Sequence, residues 1–364
     1  MTLLDDLNDA GQSPWLDNLR RDWIHNGELQ NWLDKGVRGI TSNPSIFQKA
    51  ISGSEEYTEQ FTQLLAEGKS IEESYWGLVT TDIEDALTVM RPVYDQTDGL
   101  DGYVSVEVDP SLARDGEGTA AAARALDDQI TAPNLYVKIP ATDEGTPTIG
   151  QMIAEGRSIN VTLLFAIDKY QAVMDAYIDG LEKRVADGGD ISDVSSVASF
   201  FISRIDVEVD KRLEAIGTPE AKALIGKVAI ANAKLAYQAF VETFSGPRWE
   251  ALEAKGARKQ RVLWASTSTK DPSFPDTLYV DTLIGPDSVN TLPDKTITAF
   301  LANGTVARTI DADLDEAKAT IATLAEVGVD LEDVTNVLLE EGLAGFTKSF
   351  DDLLATLTEK AASL

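Results

Sequence analysis

The sequence predicts an α/β fold, a (β/α)8 barrel with additional helices and a helical C-terminal tail, and three observations predict it. Short strand-like runs recur eight times along the chain. Amphipathic helical stretches separate them, and strands joined by helical crossovers pair in parallel. Eight such units in 364 residues fit a barrel carrying insertions. A doubly wound open sheet is the competing arrangement of the same units.

In chain order, the strands are expected at residues 14–17, 37–41, 102–107, 134–139, 159–163, 196–200, 261–265 and 277–281. Helical periodicity marks residues 70–95, 117–131, 167–186 and 219–244, among others. From residue 311 the chain reads as helices only, broken near Gly328 and Gly342. No Pro/Ser-rich linker divides it, so one barrel domain is expected over 1–364, with the tail packed on it. Segments 186–195 and 245–259 are insertions without an evident role.

Composition narrows the chemistry. With 31 basic and 61 acidic residues, the net charge of −30 opposes nucleic acid and anionic membrane surfaces. There is no Cys, so disulfides, thiolate metal sites and cysteine nucleophiles are excluded. A single His, His25, rules out a two-His metal site within one chain. Catalysis must therefore use carboxylates, lysines, hydroxyls and amides; Asp5, Asp6 and Asp9 read as a solvated acidic segment and not as a metal site, and no Gly-x-Gly-x-x-Gly follows a strand to hold a dinucleotide. Residues 1–10 carry acids and no basic n-region, and no apolar run approaches a membrane span. A soluble, cytoplasmic protein is expected.

Strand parity is the most informative signal. Alternate side chains of a barrel strand face the lumen. In Val104-Ser105-Val106-Glu107-Val108 the valines share one face, and Ser105 and Glu107 take the other. Val137 and Ile139 oppose Lys138 on the next strand, and Asn160 and Thr162 share a face on the one after. Three successive strands thus aim Glu107, Lys138, Asn160 and Thr162 inward. Buried charges are paired or serve a purpose. A lysine among apolar strands either caps a strand end or guards an edge, or it is a desolvated amine kept as a nucleophile for carbonyls. Glu107 and Thr162 beside it suit the proton traffic of carbinolamine formation and dehydration.

Two further segments extend the candidate site. Gly39-Ile-Thr-Ser-Asn-Pro-Ser45 ends the second strand, where Asn43 or Ser42 can cap a helix opened by Pro44. A cap does not explain so many hydroxyl and amide groups in one turn. Asp17 ends the first strand, where barrel enzymes keep catalytic residues, though it could equally be a helix N-cap.

Gly39-Ile-Thr-Ser-Asn-Pro-Ser-Ile-Phe47 and Leu135-Tyr-Val-Lys-Ile-Pro-Ala-Thr-Asp-Glu-Gly145 resemble the two signature segments of the transaldolases. Asn160-Val-Thr-Leu-Leu-Phe165 and Ser199-Phe-Phe-Ile-Ser-Arg204-Ile are similar to that family's next two strand ends, and the likeness runs from about Trp15 to Ile284. The resemblance implies a cofactor-free, imine-forming aldolase mechanism. In it a dihydroxyacetone unit passes between sugar phosphates, from sedoheptulose 7-phosphate to glyceraldehyde 3-phosphate. Lys138 then becomes the Schiff-base lysine and Asp17 the acid/base at the hydroxyl beside the breaking bond. Glu107 and Thr162 would hold a catalytic water. Asn43 and Asn160 would bind the dihydroxyacetone unit, with Ser199 near its terminal hydroxyl and Phe201 lining the cleft.

A phosphorylated substrate needs local positive charge in so acidic a protein. Arg204, past the sixth strand, offers a fork suited to phosphate, unless it is an ordinary salt-bridged surface residue. The loop Ala265-Ser-Thr-Ser-Thr-Lys270 follows the seventh strand, and Ser266 and Lys270 are its phosphate candidates. The family often has Arg where Ser268 stands, a departure that fits its longer bacterial branch. A plain hydroxyl-rich helix entry is the other reading of that loop.

His25 reads as a helix-surface residue, and Leu339, Phe346, Phe350 and Leu354 as a packing stripe, on the barrel or on another subunit. Barrels of this kind often self-associate. Two alternatives to transfer stay open: a lyase releasing free dihydroxyacetone, and a catalytically silent barrel that binds sugar phosphates or a protein partner.

Overall fold

The computed structural model describes residues 2–364. Eight strands close into one barrel in chain order, as a TIM-type fold requires: β1 (Gln12–Leu16), β2 (Gly39–Ile40), β3 (Val104–Glu107), β4 (Leu135–Pro140), β5 (Ile159–Leu164), β6 (Ser196–Phe201), β7 (Arg261–Ala265) and β8 (Ser288–Leu292). All neighbours are parallel, and β1 pairs with β8 to close the ring. The open-sheet alternative is thereby removed.

Seven strands fall where alternation puts them, and the eighth does not. Residues 277–281 form a helical turn, Leu278–Asp281, despite their β-branched and aromatic content. Thr277 Oγ1 donates to Asp281 Oδ2 at 2.7 Å, and the amides of Val280 and Asp281 both return to the Thr277 carbonyl. The true β8 carries Ser288, Asn290 and Thr291, which make it read as a loop. Those side chains are buried and bonded inside the barrel: Gln12 Nε2 and Thr267 Oγ1 reach Ser288 and Asn290 at 3.0 and 2.8 Å. Strand β2 is only two residues long, and its Gly39 lies against the Trp15 indole, where an added Cβ would sit 2.4 Å from the ring.

The helical stretches hold with local changes. Residues 71–96 and 167–186 are continuous helices. The expected helix at 219–244 divides into Pro219–Lys222 and Val228–Thr243, because Gly226 turns the chain at φ +71. In the tail, Gly328 at φ +91 does separate Leu314–Glu326 from the helix that follows. Gly342 does not break anything. The last helix runs from Leu331 to Ser363 straight through it, its start capped by Asp330 on the amides of Glu332 and Asp333. This C-terminal helix lies across the mouth of the barrel, where Ser349 bonds Ser45 at 2.7 Å and Phe350 meets Tyr75 edge-on at 5.0 Å. Among the described residues, no helix is long and apolar enough to cross a membrane.

Candidate active site

The parallel register sets Glu107 opposite Lys138, and Lys138 opposite Asn160, so three polar residues line one layer of the lumen. Thr162 lies opposite Pro140, two residues nearer the strand ends. Burial is nearly complete: Glu107 is 7% exposed, Lys138 4%, and Asn160 and Thr162 0%. The Lys138 amine sits 3.1 Å from Glu107 Oε2 and donates to the Ser42 carbonyl at 3.3 Å. Glu107 Oε2, though close to the amine, lacks a well-directed hydrogen bond, and Thr162 Oγ1 has none either among the described residues. Burial pushes the Glu107 carboxyl above its ordinary range, and Lys138 opposes that rise.

Lys138 opens onto a cavity of about 120 Å³ at the C-terminal ends of the strands. Asp17, Asn43, Ser199, Phe201, Arg204 and Lys270 all line it. Larger hollows exist, one of about 620 Å³ beside Glu84, Arg91 and Asn134 and one of about 190 Å³ with Lys227, Lys234, Asp313 and Glu316, but neither opens at the C-terminal ends of the barrel strands. Size is the weaker criterion here.

The structure decides between the paired readings residue by residue. Asp17 caps no helix: the next one begins at Arg21, and its carboxylate instead accepts from Thr41 Oγ1 at 2.9 Å. Burial raises its pKa, against the lowering pull of Lys138, Thr41, Arg204 and Lys270. Asn43 fills both readings, since its Oδ1 caps the helix at Ile46 N, 3.0 Å away, while the residue also faces the cavity. Asn160 does not reach the cavity surface. Its amide donates to Ser105 at 3.0 Å and its carbonyl accepts from Ser199 at 2.8 Å, so Ser199 is the group presented.

Arg204 makes no salt bridge among the described residues. Its guanidinium lies 5.0 Å from the Phe201 ring and 6.0 Å from Phe346, and burial lowers its pKa. Lys270 is likewise without a carboxylate partner, donates to Ser268 Oγ at 2.6 Å, and is lowered by burial and by Arg204. Ser266 adopts φ +56, a left-handed conformation unusual for a residue with a Cβ, and its hydroxyl pairs with Ser203 at 2.9 Å. Two cations without carboxylate partners, together with several hydroxyls, give the mouth of a strongly acidic protein a local patch of positive charge. The helix-entry reading of this loop fails, because no helix follows until Leu278.

Thr41, Thr291, Pro293 and Phe346 also line the cavity and escaped the sequence reading. Thr41 positions Asp17, and it stood unremarked inside a segment singled out for other members. Thr291, whose hydroxyl lies 2.5 Å from that of Thr41, belongs to the misplaced eighth strand. Phe346 comes from the C-terminal helix, with its ring centre 5.7 Å from the Lys138 amine. Its position in an apolar stripe gave no hint of a place beside the site. His25 is a half-exposed helix residue near Glu56, away from the cavity.

A closed barrel with a buried amine, two acids and unpaired positive charge at its C-terminal mouth suits an enzyme that works on an anionic carbonyl compound through its lysine. The chain belongs to the transaldolase/fructose-6-phosphate aldolase family, whose model matches residues 14–357. It is 52% identical to the transaldolase of Parafrankia sp. (strain EAN1pec) over 362 residues, covering 99% of this chain and 98% of that one. It is 50% identical to the Frankia alni transaldolase over 98% of this chain and 97% of the relative. The Thermobifida fusca transaldolase is 49% identical, over 99% and 98% respectively.

Proposed function

We propose that this family member is a transaldolase that moves a dihydroxyacetone unit from a ketose phosphate to an aldose phosphate in the non-oxidative pentose phosphate pathway, with Lys138 as covalent carrier. The Lys138 amine attacks the ketose carbonyl after passing a proton to Glu107, 3.1 Å away. Loss of water from the carbinolamine leaves a protonated imine. Glu107 Oε2 and Thr162 Oγ1, both buried and otherwise unbonded, suit an ordered water that relays protons in this step. Asp17 then takes the proton of the hydroxyl beside the scissile bond. That bond breaks, its electrons neutralise the imine nitrogen, and the aldehyde product leaves. Reversal on a second aldehyde, with Asp17 returning its proton to the new hydroxyl, completes transfer.

Binding roles follow from what each group has free. Asn43 and Ser199 face the three-carbon unit, Asn160 orients Ser199, and Phe201 forms an apolar wall. Arg204, Lys270 and Ser266 hold the phosphate, with Lys270 supplying the charge that Ser268 lacks. We assign the enzyme to the cytoplasm, because phosphorylated sugars do not cross a bilayer unaided.

The observation that carries this reading is the buried Lys138–Glu107 pair opening onto a cavity shared with Asp17 and an unpaired Arg204. Borohydride reduction in the presence of fructose 6-phosphate is expected to add the three-carbon unit to Lys138, read by peptide mass spectrometry. Lys138→Ala is expected to lose transfer by roughly 10⁴-fold or more while keeping its fold. A Lys138→Ala enzyme that still transfers would overturn the mechanism.

A further inference from the structure

The C-terminal helix crosses the barrel mouth through contacts that local backbone preference does not favour. Gly342 lies in the interior of this helix, where Gly costs about 1 kcal/mol relative to Ala. An added Cβ there would lie 2.8 Å from Leu163 Cδ2 and 3.4 Å from Arg204 Nη1, so the missing side chain lets the helix down onto the site. Leu163 itself sits at φ +59, beside the irregular pairing of β5 with β6. The helix is held on either side of this point, by Arg114 to Glu340 and by Ser45 to Ser349. One turn beyond Gly342, Phe346 is buried with its ring over both the Lys138 amine and the Arg204 guanidinium.

From this geometry we propose that Phe346 is a specificity-determining residue, a water seal that commits the covalent intermediate to an aldehyde acceptor. The proposal rests on the Lys138 reading above. Once the first aldehyde has left, the three-carbon unit is an enamine on Lys138, and Asp17 holds the abstracted proton. Two fates compete. In transfer, the enamine carbon forms a bond to the acceptor's carbonyl carbon, and the Asp17 proton goes to the new hydroxyl. In leakage, that carbon takes the proton instead, water adds to the resulting imine, the carbon–nitrogen bond breaks, and dihydroxyacetone leaves with the amine restored. Hydrolysis of an imine by the water at Glu107 and Thr162 is common to both fates. What sets leakage apart is protonation of the enamine carbon, for which bulk water must relay the Asp17 proton when no acceptor is present. An apolar ring over the amine excludes bulk water, whereas a sugar phosphate anchored on Arg204 enters beneath the same ring.

The test compares dihydroxyacetone release without acceptor to transfer with acceptor, using fructose 6-phosphate as donor. Phe346→Ala is expected to raise that ratio about tenfold, because removing the ring admits water. Phe350→Ala is the control: it loosens the same helix against Tyr75 and Trp76, outside the cavity, and the ratio should stay within about twofold of the parent. Phe346→Leu keeps apolar packing and carries the test should the alanine variant fail to fold; its ratio should still rise, by a smaller factor. A fall of both rates by one common factor, or an equal rise in Phe350→Ala, would overturn the seal. Borohydride trapping on Lys138 separates the two layers of inference. An adduct in every variant with an unchanged ratio rejects the seal alone, and no adduct in the parent enzyme rejects the lysine mechanism and the seal together.

Discussion

The two ends of the barrel lumen each bury a cation beside a carboxylate, and the two pairs are built on different terms. At the N-terminal end, Arg261 donates to Ser13 at 2.8 Å, to the Leu100 carbonyl at 2.6 Å and to Asp101 at 3.0 Å. Asp101 also accepts from Ser13 and from the Trp15 indole, at 2.7 and 3.0 Å. Both its oxygens are used. At the C-terminal end, Lys138 faces a Glu107 oxygen with no well-directed hydrogen bond, Thr162 is unbonded, and Arg204 has no carboxylate. Residue type does not separate the two clusters. Saturation does: groups bonded on every side are held in place by the fold, and groups with unused valence are positioned for something that arrives.

The sharpest way to break the comparison is at the saturated end. Arg261→Ala leaves Asp101 charged and buried without its cation, which is expected to cost about 3–5 kcal/mol of stability. Activity per folded molecule should stay within about twofold of the parent, since neither residue lines the cavity. Denaturant unfolding and assay of the folded fraction read the two quantities separately. A stable Arg261→Ala protein would mean that saturation does not mark structural pairs.

The matching change at the open end should show the reverse balance. Arg204→Ala removes a half-buried cation that no carboxylate neutralises, so stability should be unchanged or slightly higher. The KM for a phosphorylated donor is expected to rise about 10- to 100-fold, a loss of roughly 1.4–2.7 kcal/mol of binding. Donors without phosphate should be much less affected. An equal effect on both kinds of donor would remove Arg204 from the phosphate site.

The same distinction explains what the sequence could reveal. Glu107, Lys138, Asn160 and Thr162 were legible because valines, isoleucines and leucines occupy the opposite face of each strand, so polarity alternates cleanly. Strand β8 was illegible because its own inward residues, Ser288 and Asn290, are polar and satisfied by Gln12 on β1 and Thr267 in the loop after β7. Such cross-strand bonding leaves no trace in a linear pattern, while 277–281 has the composition of a strand and is captured by a local Thr277–Asp281 bond. Arg204 could be suspected, but its freedom from salt bridges is a tertiary fact. Phe346 carried no signal, because an apolar stripe looks alike whether it packs on a helix or roofs a cavity. Gly342 pointed the wrong way. A helix-breaking residue was retained for the close approach it allows to Leu163 and Arg204.

The smallest expected effect tests whether the open end acts as one electrostatic unit. Asp17 must be ionised to take a proton, and burial has raised its pKa, so activity should fall on the acid side at a pH above the ordinary carboxylate range. Lys270 is among the charges that oppose this rise. Replacing it in Lys270→Met removes a stabiliser of the ionised form, which raises the Asp17 pKa further and moves the acid limb of kcat/KM to higher pH. Lys270→Arg keeps the charge and should leave the limb in place. Because Lys270 reaches solvent, added salt should shrink the gap between the methionine variant and its parent. Arg261→Ala, at the saturated end, should not move the limb at all. A limb displaced by Arg261→Ala, or indifferent to Lys270→Met, would mean that the charge around Asp17 is set by something other than the unpaired cations of the mouth.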